Sequence, residues 1–141
     1  MLDAYRDLID DLLSTPTEIR GLVDASGGSS TSPETKRLVA DLRNRDRAVL
    51  ERVQAMTREE TPYLPALRLN PSTDDEDLSK LLEEMEVARG DLVSLLINLS
   101  LKDWTRGAID ETEGEITLAD EIEQHVEFDE RQRSQLRASV S

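Results

Sequence analysis

One histidine occurs in the chain, His125, within EIEQHVEFDERQRSQL at 121–136. Asp129 and Gln132 follow it at helical spacing, so an imidazole, a carboxylate and an amide share one helix face. With Asp41 brought across from another helix, that set would form a nitrogen/oxygen site for a divalent metal. A single imidazole backed by a neutral amide and carboxylates is a poor donor set for zinc, nickel or iron. The same residues also describe a polar histidine at the boundary of a helix, hydrogen-bonded to a neighbouring carboxylate such as Glu121. A second constellation is Arg89, Asp46 and Asp41, charges set on or beside apolar stripes. A charge on a core-facing stripe needs a partner. The expectation is an internal ion pair fixing helix register, with ligand anchoring by Arg89 as the alternative. Other chemistry is poorly supplied. No cysteine is present, which removes disulfides, thiolate metal sites and a thiol nucleophile. No serine is signalled against His125. Adjacent acids such as Glu83/Glu84 and Asp74/Asp75 read as a solvated face, and SGGSS matches no phosphate-binding pattern.

Four helices must position these residues. Leu2, Tyr5, Leu8, Ile9, Leu12 and Leu13 recur at helical spacing. The TPTE that follows offers Thr15 as N-cap, Pro16 at N1 and Glu18 at N3, so this helix either kinks at Pro16 or restarts there, continuing through Ile19, Leu22 and Val23. SGGSSTSP (26–33) reads as a mobile loop. Ser32-Pro33 starts a second helix whose stripe runs Leu38, Leu42, Val49, Val53, Met56. Three prolines in TPYLPALRLNPSTDD (61–75) forbid a continuous helix and predict an irregular crossover. The third helix, about 74–99, has the strongest periodicity, from Leu78, Leu81, Leu82 and Met85 through Ala88, Leu92, Leu95, Leu96 and Leu99, with Arg89 among them. SLKDW (100–104) reads as a capped turn, its Trp104 a plug at the bundle end. A fourth helix is expected from Thr117, with Thr117 and Asp120 as a capping box and Leu118, Ile122, Leu136 and Val140 on one face. No strand alternation of any length appears. The fold class is all-α, a four-helix bundle with a long crossover between helices 2 and 3, in a single domain over 1–141.

Composition agrees. Hydrophobic residues are 37% and aromatics 3%, so the core must be Leu, Val, Ile, Met and Ala, which suits helices. A net charge of −14 works against nucleic acid and anionic lipid, and the densest basic stretch, RNRDR at 43–47, is interrupted by Asn44 and Asp46. The acidic, amphipathic MLDAYRDLIDDLL is unlike a signal peptide, and no apolar run approaches spanning length. The expectation is a cytoplasmic protein that binds neither nucleic acid nor membrane.

The order of these parts resembles the DinB-like (damage-inducible, YfiT-like) superfamily of bacterial four-helix bundles. The resemblance runs through LLSTPTEIRGLV, VADLRNRDRAVLERV, PYLPALRLNP, ARGDLVSLLINLSLKDWTRGAI and EGEITLADEIEQHVEFDERQRSQL, essentially the whole chain. It implies a divalent metal such as nickel or zinc on three histidines, thiol-transfer chemistry in some members, and a homodimer. It also places Arg89 at the family's usual arginine and Asp46 at its acidic residue. At the three histidine positions this chain has Asp41, Phe128 and Gln132, so the resemblance implies the scaffold without the metal site. Phenylalanine cannot coordinate, and glutamine is a weak neutral ligand. The expectation is a ligand- or partner-binding bundle with no metal, its pocket at Asp41, Phe128 and Gln132, with Asp46, Arg89, His125 and Asp129 as neighbours. The alternative is a metal-dependent thiol transferase or hydrolase with a rearranged site.

Overall fold

The computed structural model describes residues 2–25, 32–68 and 77–140. Four long helices carry the chain: α1 (Leu2–Ala25), α2 (Pro33–Arg58), α3 (Leu78–Ile97) and α5 (Leu118–Val140). Between them lie β1 (Tyr63–Leu64), the single turn α4 (Leu101–Trp104), β2 (Gly107–Asp110) and β3 (Gly114–Thr117). In the bundle α3 packs against both α1 and α2, and so does α5. Consecutive α1 and α2 therefore lie across a diagonal, as do α3 and α5.

The apolar stripes become the core. Leu38, Leu42, Val49, Val53 and Met56 of α2 are buried, as are Leu81, Met85, Leu92 and Leu96 of α3 and Leu118, Ile122 and Leu136 of α5. Each fully buried Leu, Ile or Met contributes about 1.5–3 kcal/mol relative to exposure. They form two clusters, one around Val53, Leu92, Trp104 and Ile122, the other around Ile19, Leu38, Leu81 and Leu136. Trp104 closes the first and stacks on Tyr5 at 4.6 Å between centroids.

Three helix starts, those of α2, α4 and α5, are capped by side chains. Ser32 accepts from the Thr35 amide ahead of Pro33. Ser100 and Asp103 cap α4 reciprocally. Thr117 and Asp120 exchange backbone–side-chain bonds of 2.9 and 3.1 Å to open α5. The loop expected at 26–33 therefore ends where Ser32 begins to cap, and 26–31 lie outside the described residues. The same holds for 69–75 of the crossover and for 74–76 at the expected start of the third helix.

Three details differ from the sequence reading. Pro16 stands inside one helix running from Leu2 to Ala25, and Thr15, read as an N-cap, is buried within it. Leu13, placed on the apolar face, is half exposed. Residues 107–117, read as a lead-in to the last helix, form a hairpin, with Gly107 facing Thr117 and Asp110 facing Gly114. β1 pairs with β2 in parallel, Tyr63 opposite Ile109, completing a sheet ordered β1-β2-β3. Asp110 builds the turn by accepting from the Thr112 and Glu113 amides at 2.9 and 2.8 Å. Gly114 leaves the turn at φ +80°, a conformation glycine adopts without steric cost.

Candidate functional site

The polar centre of the bundle is built on Arg89, between Met85 and Leu92 on α3 and 2% exposed. Its Nε donates to Asp46 Oδ1 at 2.9 Å. Nη1 donates to Asp129 Oδ2 at 2.8 Å and to the Leu12 carbonyl at 2.7 Å. Nη2 donates to Asp129 Oδ1 at 2.8 Å and lies 2.9 Å from Asp46 Oδ1. The guanidinium fork is thus spent on two carboxylates, one of them gripped at both oxygens. Burial works against its charge, but Asp46 and Asp129 outweigh that and hold its pKa above the ordinary arginine value.

Pro16 explains the Leu12 contact. Lacking an N–H, it cannot bond the carbonyl four residues back, which is that of Leu12. The carbonyl freed in α1 is the one Arg89 uses. Thr15, beside it, donates to Asp129 Oδ2 at 2.8 Å and accepts from Arg133 Nη1 at 2.8 Å. All four long helices therefore meet here: α1 through Leu12 and Thr15, α2 through Asp46, α3 through Arg89, and α5 through His125 and Asp129.

His125 is fully buried rather than at the boundary, and its carboxylate partner is Asp46, 2.6 Å from Nε2, not Glu121. Its other nitrogen accepts from Arg45 Nε at 3.2 Å. An arginine N–H can only donate, so Nδ1 must be the acceptor and the ring proton sits on Nε2, directed at Asp46. Both ring nitrogens are in use within the protein. Among the described residues the buried Asp46 Oδ2 has no hydrogen-bond partner.

At the three positions where the resemblance expects metal ligands, each residue has partners of its own. Gln132 is buried and donates to the Leu38 carbonyl of α2 at 3.2 Å. Asp41 is partly exposed, 3.7 Å from Arg37 on its own helix, and stays outside the Arg89 cluster. Desolvation raises the Asp41 pKa, opposed by Arg37. The Phe128 ring lies 6.4 Å from the His125 ring at a near-parallel 11°, with the guanidiniums of Arg45 and Arg131 at 4.8 and 5.9 Å from its centroid. A divalent metal does not fit these residues. The one histidine is committed at both nitrogens, and the carboxylates nearest it already enclose a guanidinium. Among the described residues no group of three or more histidines and acids is arranged to hold a metal ion.

A second buried network adjoins the first. Arg52 of α2 pairs with Asp110 of the hairpin and, at 3.2 Å, with Glu121 of α5. Desolvation raises the Glu121 carboxyl, against the attraction of Arg52, Arg45 and His125. Burial also pushes Asp110 upward, but its bonds from Arg52 and the turn amides win and its pKa is lowered. Sequence reasoning missed this network, along with Thr15 and Arg45. The available signal was Pro16, which announces an unpaired carbonyl at residue 12.

Four long helices, a crossover carrying a short strand and a hairpin before the last helix make up a four-helix bundle of an elaborated kind. The solved structure of YfiT from Bacillus subtilis, described as a probable metal-dependent hydrolase with an unusual four-helix bundle topology, matches 100% of this chain and 87% of its own at a TM-score of 0.77. Sequence identity is 18%, so the likeness is one of fold. No family model and no curated protein sequence matches the chain.

Proposed function

We propose that this chain uses the DinB-like scaffold as a ligand- or partner-binding bundle that works without a metal and is not a metal enzyme. The observation that carries the reading is the Arg89 guanidinium. It takes up Asp46 and Asp129, while Asp46 and Arg45 take up the two nitrogens of His125. A divalent cation placed among those donors would meet a fixed positive charge and would displace hydrogen bonds that span four helices. The competing reading, a metal-dependent thiol transferase or hydrolase with rearranged ligands, draws on the description of YfiT and on the unpartnered Asp46 Oδ2.

Titration calorimetry of the metal-stripped protein with nickel and zinc separates the two. The metal-free reading expects no stoichiometric binding and a nitrogen-15 spectrum of His125 with its proton on Nε2 before and after metal addition. One equivalent bound tightly, and lost in His125→Ala or Asp41→Ala, would overturn it.

A further inference from the structure

Three buried arginines each have a carboxylate within ion-pair distance: Arg43 with Glu84, Arg52 with Asp110 and Glu121, Arg89 with Asp46 and Asp129. Arg45 differs from them. It is half-buried, its Nε is spent on His125 Nδ1, and its guanidinium lies over the face of Phe128. Among the described residues its Nη1 and Nη2 have no hydrogen-bond or ion-pair partner. Glu121 and Asp129, the acids that act on it, are committed to Arg52 and Arg89. The exposed Arg131 stands on the same ring and adds a second positive charge. Desolvation, together with the repulsion of Arg131 and Arg52, lowers the Arg45 pKa below the ordinary arginine value. In a chain of 31 acids against 17 bases, two guanidiniums share one aromatic ring, with Glu127 and Glu130 lining the surface beside Arg131.

We propose that Arg45, Arg131 and Phe128 form the binding site for a small organic carboxylate. The two terminal nitrogens of Arg45 are the edge of the fork that grips a carboxylate with two parallel bonds. The His125 bond to Nε holds that fork in place. The Phe128 edge supplies an apolar wall for the body of the ligand. A monoanion suits the site better than phosphate, because Glu121 and Asp129 stand close enough to act on Arg45 and repel a second negative charge more strongly. The proposal deepens the metal-free reading, naming the ligand class at the place where the resembled family keeps a metal histidine.

The test is titration of the full chain with benzoate, benzamide and inorganic phosphate, each with a chelator present, read by calorimetry and amide chemical shifts. Benzoate is expected to bind at submillimolar to millimolar concentration, with shifts around 45, 128 and 131. Neutral benzamide should bind at least tenfold more weakly, and phosphate more weakly than benzoate. Arg45→Gln should abolish benzoate binding. The exposed Arg131→Gln, which leaves the interior untouched, should weaken it severalfold. Equal affinity for benzoate and benzamide, phosphate binding tighter than benzoate, or undiminished binding in Arg131→Gln would each overturn the proposal. Absence of benzoate binding, both with the chelator and in parallel runs where zinc or nickel replaces it, would defeat this site alone. Binding that requires the metal would instead defeat the metal-free reading on which it rests.

Discussion

Removing Arg89 leaves two carboxylates buried without their counter-charge, and such a loss costs about 3–5 kcal/mol. Arg89→Met should therefore lower the urea midpoint far more than the triple change Asp46→Asn, Arg89→Met, Asp129→Asn, which removes the charges together. Equal losses would take the ion pair out of the explanation. Glu121 makes a second prediction, with the opposite sign to most carboxylates. Its pKa is raised above the ordinary 4.5, so as pH falls toward 4.5 the native state takes up a proton before the unfolded chain does. Stability rises through that window. Asp110 is lowered below 3.8, so its contribution is complete above 3.8 and lost as pH falls through its lowered value. Asp41 is raised as well and adds to the first effect. A pH series of thermal midpoints should accordingly show Glu121→Gln rising less than wild type between neutrality and 4.5. Parallel curves would clear Glu121 of the role. At this scale the pairing of Arg89 with Asp46 was legible, since a charge inside an apolar stripe demands an opposite one. Asp41 was the wrong second partner, because its place at the stripe margin lets it reach solvent and Arg37 instead. The bond from Arg45 to His125 was not legible, because it depends on how α2 and α5 are rotated against each other.

Among the elements, α1 carries a proline inside the helix, and that proline has a specific job. A proline inside a helix costs about 3 kcal/mol relative to alanine, yet Pro16 sits where the loss of its N–H exposes the Leu12 carbonyl to Arg89. Pro16→Ala should stabilise the protein by clearly less than that figure, because the amide it restores at this position competes with Arg89 for one carbonyl. In an Arg89→Met background the same substitution should gain more. The resulting coupling, about 0.5–3 kcal/mol for residues in one network, is measured by a double-mutant cycle, and additive effects would remove the link between proline and arginine. Long elements were readable because their apolar periodicity repeats over several turns. GAID and GEIT were not, because four residues give too little alternation, and their order depends on β1 and the Asp110 turn, contacts made only after folding. The capping residues Ser32, Ser100 and Thr117 were readable because each acts within three residues of itself.

At the scale of the whole molecule, a net charge of −14 makes two copies repel wherever their surfaces are acidic. No described helix is long and apolar enough to cross a membrane. A groove of about 510 Å³ runs between the first half of α1 and the end of α3, lined by Tyr5, Ile9, Leu13, Ile97, Leu101 and Trp104. Leu13 and Ile97 stand 50% and 61% exposed there. The same groove holds Arg6 and Asp10. A two-fold interface is self-complementary, so Arg6 of each copy can face Asp10 of the other while the apolar side chains meet between them. We propose that the homodimer implied by the family resemblance forms on this groove. Light scattering should give twice the chain mass, and Leu13→Glu with Ile97→Glu should give the monomer with its helical signal intact. Added salt should tighten the dimer, because screening over about 8–10 Å at near-physiological ionic strength relieves the net repulsion more than it weakens two rim pairs. A dimer that survives both substitutions would move the interface to another face, and one that dissociates with salt would show that ion pairs, rather than the apolar groove, hold it.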